Sequence, residues 1–260
     1  MAIDLKSLKP SINHRPPRIL VYGGEGIGKS TFFSKAPSPL FIQTEDGTNE
    51  LNVARYPENG PATSYQQVLD VIADLYQQDH DFKTVVIDSA DWLEALVQKH
   101  VCQEHQKQNI EEFGYGKGYV FAADAFRELL TGLTALRDKK GMIVGMTAHA
   151  MVKRYDDPMA ESYDRYQLKM HQKSESLLKE WSDLIGFAAL RTMVHSEDVG
   201  FNKKAKRAIS TGERLLYTQE RPAFVAKNRH NLPESLPLEW GALTDCIARS
   251  NQTEGQTDNG

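Results

Sequence analysis

Four short apolar runs punctuate the chain: Ile19-Leu20-Val21-Tyr22, Leu40-Phe41-Ile42, Thr84-Val85-Val86-Ile87 and Met142-Ile143-Val144-Gly145-Met146. Runs of this length without polar alternation predict strands buried on both faces. The segments between them have helical periodicity. A short helix from about Lys29 to Ala36 is stopped by Pro37. Ser64 and Gln67 form a capping box ahead of Val68, Leu69, Ile72 and Leu75, and Trp92, Leu93, Leu96 and Val97 mark a further helix. Leu129, Leu130, Leu133 and Leu136 mark another over about residues 120–137. Strands alternating with helices predict parallel βαβ units with right-handed crossovers. After Ser176 a helix over 177–183 leads into strand-like segments at 184–190, 215–218 and 223–226, with a hairpin insertion between them. The expected architecture is a single α/β domain over residues 18–249, a mainly parallel β-sheet flanked by helices with a C-terminal β-hairpin extension. Residues 1–17, closed by Pro16-Pro17, read as an arm. Residues 250–260 lack any large apolar side chain and read as a disordered tail.

Composition narrows the function classes. The 260 residues carry 31 Lys and Arg against 35 Asp and Glu, a net charge of -4. A binder that is basic overall is excluded, and a local basic patch is not. Cys102 and Cys246 are the two cysteines, too few for a disulfide framework, which favours a reducing compartment. No apolar run approaches the ~18–20 residues of a membrane span, and the polar N-terminus has no secretory apolar core. The expectation is a cytoplasmic protein with no membrane partner.

The strongest chemical signal is Gly23-Gly24-Glu25-Gly26-Ile27-Gly28-Lys29-Ser30, followed by Thr31. It fits G-x-x-x-x-G-K-[ST], directly after an apolar strand and at the start of a helix. Glycines let backbone N–H groups approach phosphate oxygens, Lys29 reaches the β- and γ-phosphates, and the Ser30 hydroxyl holds Mg²⁺. The expected cofactors are therefore ATP and Mg²⁺. A plain Gly-rich turn explains the glycines but not Lys29-Ser30. Asp88 ends a buried strand, where a second Mg²⁺-holding group belongs, and also suits a helix N-cap before Ala90–Val97. Hydrolysis needs a base to activate water, and Asp88 is followed by Ser89 rather than Glu. Glu45, just beyond the second strand, is the candidate; a charged surface turn explains the same residues.

Together these segments resemble the RecA superfamily. Thr44-Glu45-Asp46-Gly47-Thr48 is similar to the D-T-E-G-T of archaeal and eukaryotic RecA-like recombinases, with Asp46 inserted and Gln43 in place of the Asp. The resemblance makes Glu45 the catalytic base. Val86-Ile87-Asp88-Ser89-Ala90 resembles their V-D-S-A segment. Gly145-Met146-Thr147-Ala148-His149 stands where they carry I-T-N-Q, so His149 takes the place of the Gln that senses the γ-phosphate. Ala226-Lys227-Asn228-Arg229 resembles the K-N-K of bacterial RecA, which implies that Lys227 and Arg229 complete the ATP site of a neighbouring subunit in a ring or filament. The core-only layout and the segment from Ala226 to Trp240 resemble phage-encoded RecA-like ATPases that act in single-strand annealing and recombination. That resemblance implies single-stranded DNA, a homo-oligomer and a single-strand-binding protein as partners.

It also places two DNA-binding loops. The first falls in Phe113-Gly114-Tyr115-Gly116-Lys117-Gly118-Tyr119, where Tyr115 and Tyr119 can stack on bases and Lys117 can meet phosphate, or where the aromatics pack on the domain. The second follows His149, with Lys153, Arg154, Tyr155, Arg165, Tyr166 and Lys169 interleaved with acids. Lys203, Lys204, Lys206 and Arg207 form the densest basic cluster, at an expected hairpin tip. That tip can bind phosphate backbone or serve only as a solvated loop. His100, Cys102 and His105 do not share one helix face and are read as helix surface rather than zinc ligands. Rival readings are a helicase- or loader-like motor of the same fold, a nucleotide-switched scaffold for replication proteins, and a small-molecule kinase, for which no Arg-rich lid is marked.

Overall fold

The computed structural model describes residues 14–159, 161–198 and 204–257. In chain order the elements are β1 (Arg18–Gly23), α1 (Lys29–Phe33), β2 (Pro39–Gln43), β3 (Ala54–Tyr56), α2 (Tyr65–Gln77), β4 (Thr84–Asp88) and α3 (Ala90–Glu104). A 3-10 turn (Ile110–Phe113) follows, then α4 (Lys117–Lys140), β5 (Ile143–Tyr155), β6 (Tyr163–Leu168), α5 (Gln172–Trp181) and β7 (Leu184–Asp198). The chain continues with β8 (Lys204–Tyr217), β9 (Lys227–Asn228), β10 (Ser235–Pro237) and α6 (Trp240–Thr257). The sheet order is β10-β8-β7-β1-β5-β4-β2-β3, with β6 on β5 and β9 on β7. From β3 to β7 every neighbouring pair is parallel, and β8 and β10 extend the edge by antiparallel pairing.

The four apolar runs are the four central strands, each sealed on both faces. Leu20, Tyr22, Ile42, Val85, Ile87, Val144 and Met146 face a core shared with α2, α3, α4 and α5. Ile19, Val21, Phe41 and Val86 face the opposite core, made by Phe32, Phe33, Trp240 and Leu243 of α1 and α6. Successive residues thus serve opposite cores, which is why these strands contain no polar alternation. The expected Ser64 cap is present, its hydroxyl accepting from Gln67 N. Gly145 passes beneath the Phe33 ring, 2.5 Å from where a Cβ would stand.

Several local expectations are corrected. The first helix ends at Phe33, because Ala36 N turns back to Phe33 O in a tighter i to i+3 bond. The apolar segment 223–226 is not a strand. Arg221 and Phe224 exchange backbone bonds in a turn, and Val225 N is satisfied by the buried Tyr22 hydroxyl at 2.9 Å. The segment makes a single parallel bridge, Phe224 to Tyr166 of β6, and its residues are apolar because they are buried beside Tyr22 and Phe187. The tail expected to be disordered from residue 250 continues α6 to Thr257, since each added residue extends an existing hydrogen-bond ladder. Residues 1–13 of the arm lie outside the described residues. Its last part is fixed by Arg15 on Asp138 at 3.3 Å and by Pro17 O accepting from Val144 N.

Candidate nucleotide site

Register brings the site together at the carboxyl ends of the parallel strands. Gly23 of β1 stands opposite His149 of β5, and Gln43 of β2 stands opposite Asp88 of β4. The loop from Gly24 to Gly28 leaves β1 and enters α1, with Gly26 at φ 69° and Gly28 at φ 108°. Gly28 caps α1 in a left-handed conformation that side chains resist. Lys29 is buried, and its Nζ donates to Gly24 O at 2.9 Å and Gly23 O at 3.3 Å. Burial lowers its pKa, against the pull of the Asp88 and Glu45 carboxylates.

Asp88 is 2% exposed, and its carboxylate accepts from the Thr147 hydroxyl of the intervening strand β5. Its main-chain carbonyl accepts from Thr44 N at 2.8 Å and Glu45 N at 3.2 Å. The Thr44 hydroxyl adds a bond to Ser89 O at 2.6 Å. Glu45 is therefore held by backbone bonds to the strand that carries Asp88. Gln43 latches the same loop by donating to Pro57 O at 2.7 Å and accepting from Thr48. Burial pushes the Glu45 carboxyl above the usual carboxylate value, opposed by the nearby His149.

His149 is fixed by a residue that motif matching did not select. Asp91, in the first turn of α3, accepts from His149 N at 3.0 Å and meets Nδ1 at 2.9 Å. The same Nδ1 is 3.9 Å from Glu45 Oε2. An imidazole thus sits between two carboxylates. The hydrogen bond that His149 donates to the Asp91 carboxylate raises the His149 pKa against the effect of burial. Burial pushes Asp91 up, but the bonds from His149 prevail and its pKa is lowered. The sequence signal was an acid three residues after Asp88, at the start of a helix.

The signs of these shifts set a pH dependence. The Asp91 contribution is present above its ordinary value of 3.8 and is lost as pH falls through the lower folded value. The His149 contribution is fully present below its ordinary value of 6.5 and is lost as pH rises through the higher folded value. Asp91→Asn should therefore cost about 2 kcal/mol near pH 5–6, as for hydrogen bonds between charged groups. Thermal melts across pH should show the gap from wild type narrowing on the alkaline side, and a pH-independent gap would exclude the ion pair.

Other expected site residues lie elsewhere. Lys227 and Arg229 sit by the start of β7, since β9 pairs Lys227 with Ile185 and Asn228 with Leu184. Those positions pair with Leu20 and Ile19 of β1, at the end of the sheet away from the P-loop. Lys227 Nζ caps α5 by donating to Lys179 O at 2.6 Å and Glu180 O at 2.9 Å, and Arg229 pairs with Asp183 at 3.2 Å. Neither reaches the nucleotide site of its own chain.

The DNA-loop expectations are also altered. The first loop shrinks to Gly114–Gly116, because α4 begins at Lys117. Tyr115 is fully exposed at its tip, whereas Tyr119 lies inside α4, stacked on His171 at 3.8 Å and bonded to Glu111. The segment after His149 is not a loop but an antiparallel hairpin of β5 and β6. Lys153 is turned to Met170 O at 3.2 Å and lies 4.0 Å from Glu175, and Arg165 is buried on Glu220 and Phe224 O. Arg154 remains largely exposed. The basic cluster lies at the far end of the long β7–β8 hairpin, where Lys204, Lys206 and Arg207 pair with Asp198, Ser196 and His195. Lys203 lies outside the described residues.

No helix of the described residues is long and apolar enough to cross a membrane. No curated protein matches the sequence. Among solved structures, the crystal structure of the RadB recombinase is similar at 15% identity, over 85% of this chain and 86% of that chain, with a TM-score of 0.46. A protein-family profile described as an AAA domain matches residues 15–230. That match runs through every strand that carries the site, and the chain belongs to the AAA domain family.

Proposed function

We propose that this chain is a RecA-like, Mg²⁺-dependent ATPase that binds single-stranded DNA and promotes annealing of complementary strands in recombination, as phage-encoded core-only ATPases do. The observation that carries the reading is the meeting of Lys29, Glu45, Asp88 and His149 at one end of the sheet, on four different strands or their loops. The phosphate chain of ATP would lie on the backbone N–H groups of residues 24–30, with the Lys29 ammonium against it. The donor set suits Mg²⁺. The buried Asp88 carboxylate has a hydroxyl donor and no ion pair among the described residues, and the Ser30 hydroxyl stands at the start of α1. The described residues hold no group of three or more His, Cys, Asp or Glu able to hold a metal alone. Mg²⁺ would therefore depend on phosphate oxygens as well, which is its usual manner of binding. When bound it stabilises charge on the β- and γ-phosphate oxygens.

Glu45 takes the proton of the attacking water, and its raised pKa suits a base. His149, held by Asp91, lies within reach of Glu45 and reports the state of the site to the β5–β6 hairpin that it begins. Lys227 and Arg229, turned away from the P-loop of their own chain, serve that of the next subunit in a ring or filament. Tyr115, Lys117, Arg154 and the Lys203–Arg207 end of the hairpin supply DNA contacts, and a single-strand-binding protein is the expected co-partner.

The test is phosphate release with ATP, with and without Mg²⁺ and single-stranded DNA, using Lys29→Ala as the background. Several-fold stimulation by DNA, absent without Mg²⁺, is expected, followed by faster annealing of complementary strands. Turnover indifferent to DNA would overturn the DNA-dependent reading.

A further inference from the structure

On the face of the sheet opposite α1 and α6, a cavity of about 460 Å³ opens between α4 and α5. Its lining includes Leu130, Thr131 and Thr134 of α4 and Leu177, Glu180 and Trp181 of α5. Leu130 is buried and Leu177 and Trp181 are half-buried, so the floor is apolar. Thr131 and Glu180 are exposed at the rim. The Trp181 indole donates to the Thr134 hydroxyl at 2.9 Å and fixes one end of the groove.

The N-terminal arm enters the described structure at that same end. Arg15 pairs with Asp138 at 3.3 Å, one helical turn beyond Thr134 on α4. The Arg18 guanidinium lies over the Trp181 ring, 5.0 Å from its centroid, where Asp183 holds it by two hydrogen bonds. The root of the arm is therefore fixed to both walls of the groove. From there the lining runs back along α4 to Arg127 and along α5 to Leu177. At about 1.5 Å per helical residue, Leu130 lies roughly 12 Å from Asp138 along α4. An extended chain spans about 3.3 Å per residue, so Ile12 is roughly 10 Å from Arg15. Ile12 is the only large apolar residue between Lys9 and Arg15, and Pro10, Pro16 and Pro17 favour an extended chain over a helix there.

We infer that the arm docks in this groove of its own chain, with the Ile12 side chain seated over Leu130, Leu177 and Trp181. The chain's own arm is the occupant because its root is already anchored at the groove. Tethering makes the encounter intramolecular, at an effective concentration of roughly millimolar that a second copy's arm does not have. Glu180 also lines a cavity with Lys179, Lys227 and Arg229, so the docked arm borders the surface proposed above to face the next subunit.

Disulfide trapping in the full chain tests the docking. Ser11→Cys is paired with Thr131→Cys at the rim, with Cys246→Ser and with the buried Cys102 left in place. Glu239→Cys, exposed beside the opposite core, replaces Thr131→Cys as the control. The Thr131 pair should close within one chain at least tenfold faster than the control, at a rate independent of protein concentration. Adding Ile12→Asp, which leaves the core untouched, should slow that closure about tenfold. No disulfide, or equal rates for the two pairs, would overturn the groove as the docking site. Covalent dimers in place of the internal disulfide would overturn docking on the same chain and assign the arm to a second copy. A closure rate unchanged by Ile12→Asp would overturn Ile12 as the seated side chain.

Discussion

Glu45→Gln is expected to lower ATP turnover by about two to four orders of magnitude, the usual contribution of a positioned general base, while nucleotide binding is retained. The substitution keeps the shape of the side chain, and the loop is held by backbone bonds from residues 44 and 45 to Asp88 O that it does not touch. What it removes is the proton acceptor. Because burial raises the Glu45 pKa, wild-type turnover should climb with pH through a value above that of an ordinary carboxylate. Phosphate release, measured beside nucleotide affinity and across pH, provides the check. Turnover within threefold of wild type would remove Glu45 from the reaction and direct attention to His149, 3.9 Å away.

The second large effect is on stability. Asp183→Ala should destabilise the fold by about 3 kcal/mol, at the lower end of the range for breaking a buried ion pair. Asp183 accepts from Arg18 Nη2 at 2.7 Å and Nε at 3.0 Å, and pairs with Arg137 at 3.4 Å and Arg229 at 3.2 Å. Without it three guanidinium groups face one another, and those of Arg18 and Arg137 are mostly buried. Asp138, 2.8 Å from Arg137, keeps the loss from being larger. At roughly 2–4 °C per kcal/mol for a chain of this size, the melting temperature should fall by about 6–12 °C. Burial alone would raise the Asp183 pKa, but the hydrogen bonds and charge of Arg18 lower it. Its contribution is therefore present above the ordinary carboxylate value and is lost as pH falls through the lower folded value. The gap between wild type and variant should close in acid. A melting temperature within 2 °C of wild type at neutral pH would show that the guanidinium groups find other partners.

Much of this was legible along the chain. Continuous apolar runs identified the central strands because residues buried on two faces have no polar alternation. The P-loop was legible because its chemistry needs a fixed spacing within eight consecutive residues. Asp88 and Glu45 could be singled out because Asp88 directly follows such a run and Glu45 stands three residues beyond one. The Ser64 cap was legible because a helix end is satisfied within three residues.

Other features were decided only when distant segments met. Asp91 reads as an ordinary helix-start acid until parallel pairing brings His149 beside it. Val225 reads as part of a strand until the Tyr22 hydroxyl and Tyr166 O, both remote in sequence, share its N–H. Tyr119 reads as a free stacking aromatic until His171 covers its face. Arg214 carries no motif, and only the course of β8 sets its guanidinium beside Gly28. The sequence by itself determined the α/β core, the phosphate loop and the acids at the strand ends, because local hydrogen bonding and burial periodicity act over a few residues. The tertiary structure decided which charges pair, which aromatics remain exposed and what flanks the loop, because electrostatic and stacking contacts depend on distances across space that no spacing along the chain encodes.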